Sequence, residues 1–286
     1  MGLRMRFVSD SARIMEGATT AYGRYPRAFR SQTDLTVTLT KTVGLDSSAE
    51  PVYETTPLLA SVHFPGVTRV AVSRDGSAAE GRIAANLLAD VPAFRYHVLQ
   101  FILASMLERH GFLGFHASAC VRDGRAILLR GASGSGKTTL AYAAVRQGWQ
   151  TLGESVLWLD ANSEVTCWGM PWWFHLPAAG LRPTFTLNGR ERAELDLDAE
   201  YPGAAAPSAR AAAIVWLERS SYPSRIQRVG REEIAALWPA GASGIETEFP
   251  GYYRHVRRLL ELPAWRLYFG PDIDVAPALL APLLTP

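Results

Sequence analysis

The stretch Gly131-Ala132-Ser133-Gly134-Ser135-Gly136-Lys137-Thr138 constrains this chain more than any other part of it. It fits the pattern G-x-x-x-x-G-K-[ST] at every fixed position. Ala126-Ile127-Leu128-Leu129 before it reads as a buried strand, and Thr139 to Arg146 after it reads as a helix. A strand that turns through glycines into a helix calls for an α/β fold. Glycines let successive backbone N–H groups point inward, and the helix N-terminus adds its positive dipole end. The amides of 132–138, with Thr139 closing the set, would hold phosphate oxygens. Lys137 would reach the outer phosphates, and the Thr138 hydroxyl would hold a magnesium ion. The expected ligand is ATP or another polyphosphate donor, with Mg²⁺.

A Gly/Ser-rich turn could match this pattern by chance, and composition argues against that. Of 29 basic residues only Lys41 and Lys137 are lysines; the rest are arginines. A chain that prefers arginine so strongly places a lysine between Gly136 and Thr138, where a compact point charge is needed.

At 286 residues the chain suits one large domain or two modest ones, and 48% hydrophobic content is enough for a real core. A net charge of +2 gives no case for nucleic-acid or membrane binding through bulk electrostatics. The first 30 residues are locally basic, and a solvated, partly ordered N-terminus is expected there. Cys120 and Cys167 form neither a metal spacing nor a disulfide framework. With no apolar leader and no run of about 18 apolar residues, a cytoplasmic protein is expected.

Two regions are expected: a β-rich N-terminal region over 1–92, which could dock a substrate, and a catalytic domain over 93–286. In the first, Asp34 to Thr40 alternates as a half-buried strand does, and Ala60 to Phe64 and Arg69 to Ser73 read as short strands. A helix is expected from Ala93 to Arg109. Phe115 to Val121 reads as a strand, Arg122-Asp123-Gly124-Arg125 as a hairpin turn, and Val156 to Leu159 as a strand. Ala211 to Glu218 reads as a buried central strand. Gly180 to Pro207 is expected as a polar insertion, Gly251 to Glu261 as a helix, and Trp265 to Phe269 as a strand.

His116 lies fifteen residues before Gly131, and Glu154 seventeen after Lys137. In a phosphate-loop core these two positions can converge on the terminal phosphate. Asp160 is a weaker acidic candidate. Trp168, Trp172, Trp173, Phe174 and His175 form an aromatic run, and Arg254, Arg257 and Arg258 a basic helix face. For both, packing or solvation competes with ligand contact.

The order histidine, hairpin, phosphate loop, helix, acid resembles the HPr kinase/phosphorylase family and its looser HPr-kinase-like relatives, over about 110–170. The resemblance implies a kinase core with a central mixed sheet and flanking helices. It implies magnesium-dependent phosphoryl transfer to a serine hydroxyl, with Glu154 as the base, His116 orienting or pairing with it, and Thr138 and Glu154 holding the metal. Glu154 is followed by Ser155 where the family has consecutive acids, which weakens the case for a second metal contact and for reversibility. The implied acceptor is a protein, or a ribosomally made peptide, bearing a serine. The family's assembly implies a homo-oligomer. A small-molecule kinase and a nucleotide-binding regulatory module stay open as alternatives.

Overall fold

The computed structural model describes residues 3–25, 33–47, 50–56, 59–160, 165–177, 185–187, 190–242, 246 and 252–284. Its contacts divide it into two units, 1–111 with 184–191, and 112–183 with 192–286.

The first unit contains β1 (Leu3–Ser9), α1 (Ala12–Tyr22), β2 (Thr33–Thr42), β3 (Val52–Thr55), β4 (Ala60–His63), β5 (Arg69–Val72) and β6 (Ala78–Ala84). Short helices α2 (Ala85–Ala89) and α3 (Val91–Ala93) then lead through a π-helical segment, Phe94–Leu99, into α4 (Gln100–Arg109). The sheet order is β1-β2-β6-β5-β4-β3. β1, β2 and β6 run parallel, and the remainder is antiparallel.

Two expectations are corrected here. The basic N-terminus is not a solvated tail, because Leu3, Met5 and Phe7 alternate with its arginines and pack on the core. Arg4 faces outward, and its guanidinium pairs with Asp34 at 2.5 Å. The division falls after Gly111 rather than at 92/93. The helix over 94–109 sends Phe94, Val98, Leu99, Ile102 and Met106 into the cluster that holds Leu35, Val37 and Leu39 of β2, so it folds with the first sheet.

The second unit begins with β7 (Phe112–Phe115), β8 (Ser118–Arg122), β9 (Arg125–Arg130), α5 (Lys137–Val145), β10 (Gln150–Gly153), β11 (Leu157–Asp160), β12 (Thr166–Gly169) and β13 (Trp173–Pro177). After β14 (Phe185–Leu187), which counts with the first unit, come β15 (Arg190–Asp196), α6 (Leu197–Glu200), β16 (Ser208–Arg219), β17 (Arg225–Val229), α7 (Arg231–Leu237), α8 (Tyr252–Leu259) and β18 (Ala264–Phe269). The expected 115–121 strand is two strands, β7 and β8, broken at His116-Ala117. The expected polar insertion carries β15 and α6 among its described residues.

The main sheet is mixed, in the order β10-β8-β9-β16-β12-β11-β7, with β18 and β17 branching from β16. β8 and β9 form a hairpin whose Asp123 and Gly124 both take positive φ, 52° and 70°, as a tight primed turn requires. One face of the sheet packs Leu128, Ile214 and Trp216 with α7 and α8 residues, including Ile234 and Val256. The other packs Ile127, Leu129 and Val215 with Leu140 and Ala144 of α5. Layers of helix on a mixed sheet make this an α/β arrangement. No described helix is long and apolar enough to cross a membrane.

Candidate functional site

β9 enters the glycine-rich loop at its carboxyl end. Gly131 has φ +150°, and a Cβ there would stand 2.6 Å from the Leu217 carbonyl oxygen. Gly136 has φ +102°, and a Cβ there would stand 2.6 Å from the Phe269 ring. Both positions therefore need glycine for backbone conformation and for space. The Ser135 amide donates to the Ala132 carbonyl at 3.1 Å and tightens the loop. Lys137 is buried, and its Nζ donates to the carbonyls of Gly131 and Ala132 at 2.8 and 3.0 Å. Burial, with Arg130 as a positive neighbour, brings this amine down to about 8. The Ser135 hydroxyl is buried with no hydrogen-bond partner among the described residues. A buried unmet hydroxyl costs about 1–3 kcal/mol, which a ligand oxygen would relieve.

Strand register brings the other sequence candidates to this loop. β8 is antiparallel to β9, with Ser118 opposite Leu129. β10 is antiparallel to β8, with Gly153 opposite Ala119. β9 and β10 therefore point the same way, about two strand spacings (~9.5 Å) apart. Their carboxyl ends and the start of β8 share one end of the sheet, so Gly131, His116 and Glu154 all emerge there. β11 then runs away antiparallel, pairing Leu157 with Phe115 and Asp160 with Phe112. Asp160 thus stands at the opposite end and does not replace the missing second acid.

His116 does not meet Glu154 as expected. Its backbone N–H donates to Glu246 Oε2 at 3.1 Å, and its carbonyl accepts from Arg130 Nη1 at 2.7 Å. Arg130 Nη2 pairs with Glu246 Oε1 at 2.5 Å, both side chains 1% exposed, and the guanidinium lies 4.3 Å over the Trp238 ring. Burial first, then the charges of Lys137 and Arg130, push the His116 imidazole down to about 4, so it is neutral over the ordinary range.

The imidazole that Glu154 meets is His175. Glu154 Oε1 accepts from the His175 backbone N–H at 2.9 Å and contacts its Nδ1 at 2.6 Å. On the other side of the ring, Nε2 lies 3.1 Å from Glu194 Oε2. β13 and β15 are antiparallel with His175 opposite Glu194, which places the two side chains as a cross-strand pair. Burial alone would lower the imidazole, but the charges and hydrogen bonds of Glu154 and Glu194 outweigh it and hold it at about 9. The Ser118 hydroxyl donates to the Glu154 carbonyl, tying the backbone after β10 to the start of β8.

Arg219, at the carboxyl end of β16, completes the loop's surroundings. Its Nε donates to the Gly134 carbonyl at 3.4 Å, and its guanidinium lies 5.1 Å over Phe269. Sequence reasoning missed Arg130, Glu194, Arg219 and Glu246. It named His175 only within an aromatic run, two of whose members are packing: Trp172 and Phe174 are buried, Phe174 beside Leu140 and Ala141 of α5. On α8, Arg254 and Arg257 are exposed.

No group of three or more His, Cys, Asp or Glu side chains that could hold a metal occurs among the described residues. A magnesium ion needs no such cage, because it keeps several waters and takes phosphate oxygens with one or two protein ligands.

No known family's sequence pattern matches this chain, and no curated protein matches it. Among solved structures, the chain is similar to the Hpr(Ser) kinase/phosphatase from Coxiella burnetii, with 12% identity and a TM-score of 0.34, over 59% of this chain and 94% of that one.

Proposed function

We propose that the second unit is a phosphotransferase that moves a phosphoryl group from ATP, or another polyphosphate, to a hydroxyl. One observation carries this reading: a glycine-rich loop with a buried lysine and the nine-tenths buried Glu154 carboxylate emerge at the same end of one sheet. The loop amides and Lys137 hold the donor phosphates, and Arg219 adds a cation beside Gly134. Thr138, with Glu154, fits a magnesium ion, which would supply charge neutralisation on the donor. The acceptor oxygen bonds to the terminal phosphorus as the bond to the bridging oxygen breaks. The hydroxyl proton goes to Glu154, and the shortened donor leaves. Phosphoryl transfer asks mainly for positioning and charge stabilisation, so a single carboxylate serves. Neutral His116 lines the same end of the sheet and can accept a hydrogen bond.

A serine of a protein or peptide is the proposed acceptor. This rests on the sequence resemblance alone, as does self-assembly; cytoplasmic location is proposed from the hydropathy of the sequence. Incubation with ATP, Mg²⁺ and serine-containing peptides or proteins should add the mass of one phosphoryl group. Lys137→Ala and Glu154→Gln should each abolish the gain. Labelling of metabolites but never of peptides would move the acceptor to small molecules. Nucleotide binding without transfer to any acceptor would replace the reading with a regulatory module.

A further inference from the structure

Glu154, His175 and Glu194 form a chain of three ionisable side chains that are 8%, 12% and 7% exposed. Both ring nitrogens of His175 face carboxylate oxygens. A neutral imidazole has one N–H and one lone pair, so it would set that lone pair against a buried carboxylate. The geometry is satisfied when both nitrogens carry protons. Glu154 takes all of its described contacts with His175 through Oε1. Among the described residues nothing hydrogen-bonds Oε2. The carboxylate is thus held by one oxygen and open at the other, at the end of the sheet where the glycine-rich loop emerges.

We propose that His175, bridged to Glu194, is a positioning residue that clamps Glu154 Oε1 and presents Oε2 to the acceptor hydroxyl. The proposal rests on the phosphotransferase reading. It replaces His116 with His175 as the histidine that works on Glu154. It also gives Glu194 a role: its charge offsets that of the ring, so that a buried cation does not stand alone beside the base. A second acid after Glu154 is then unnecessary for orientation, because a histidine from β13 does that work from the side.

The test compares the wild-type chain with His175→Gln, His175→Ala and Glu194→Gln. In each, transfer kinetics, nucleotide affinity and thermal unfolding are measured. The expected result is a drop in kcat of about 10–100-fold for His175→Ala, with donor KM and nucleotide affinity within about twofold. Glu194→Gln, which keeps a neutral acceptor on Nε2, should lose less. If the His175 variants do not fold, Glu194→Gln decides by the same split of kcat from donor KM. An active wild type whose variants keep kcat overturns the role of His175 and leaves the transferase standing. A wild type that transfers to no acceptor overturns the transferase reading. The positioning role would fall with it.

Discussion

Arg130 and Glu154 stand at the same end of the second unit's sheet, two strands apart, and both are buried ions with a partner of opposite charge. Arg130 is sealed. Glu246 takes two of its nitrogens, the His116 carbonyl shares one, and Trp238 covers the guanidinium face. Glu154 is half open, with one oxygen committed to His175 and the other uncommitted among the described residues. A carboxylate held at both oxygens, as Glu246 is, holds shape, while one held at a single oxygen keeps bonding capacity for something that arrives. The first fixes where the loop begins. The second is the place where chemistry can happen.

Substitution at each ion should break the comparison in opposite ways. Arg130→Met strands the Glu246 carboxylate in a dry site and should cost about 3–5 kcal/mol of stability, read from denaturant midpoints. Adding Glu246→Leu to that variant should restore most of it, because removing both charges removes the stranded one. Glu154→Gln should do the reverse, lowering transfer by about 10²–10⁴-fold while the unfolding midpoint falls less than in Arg130→Met, because Glu194 still faces the His175 ring. Arg219→Ala tests a cation that belongs to neither cluster. It should weaken donor binding about tenfold, as loss of one charged hydrogen bond does, and titration calorimetry would read it.

The comparison extends to pH dependence. The His175 ring is raised from 6.5 to about 9, so the folded state holds its proton more tightly. The stability this contributes is full below pH 6.5 and is lost as pH rises through 9. Lys137, lowered to about 8, acts in the opposite sense above that pH. The stability difference between wild type and His175→Gln cancels the lysine and should shrink steadily from pH 6.5 to 9. A difference that stays flat across that window would mean the ring is not held as a cation.

The sealed and open clusters were unequally legible in the sequence. The loop and its flanking strand and helix could be read directly, because glycine spacing and a lone lysine are local signals. Glu154 could be placed because it follows a short return to the sheet. His175 and Glu194 meet across two strands, nineteen residues apart in the chain, and no local pattern pairs them. Glu194 lies in a stretch whose polar composition masks β15. Glu246 is 116 residues from Arg130, and only the folded sheet brings them together. At the N-terminus the arginines drew attention from the Leu3, Met5, Phe7 alternation that makes β1. The helix over 94–109 was recognised from its periodicity, but periodicity does not say which sheet it will cover.

β16 changes neighbours along one side. Over Ser208 to Arg210 it pairs with β12, and over Ile214 to Arg219 with β18, while β9 lines its other side. It is the keel from which both branches hang. Ile214, Val215 and Trp216 are flanked by strands on both sides, so their amides exchange only when a whole branch detaches. Fraying of β17 and β18 would therefore leave the loop's seat intact, and deuterium uptake should reach the centre of β16 last.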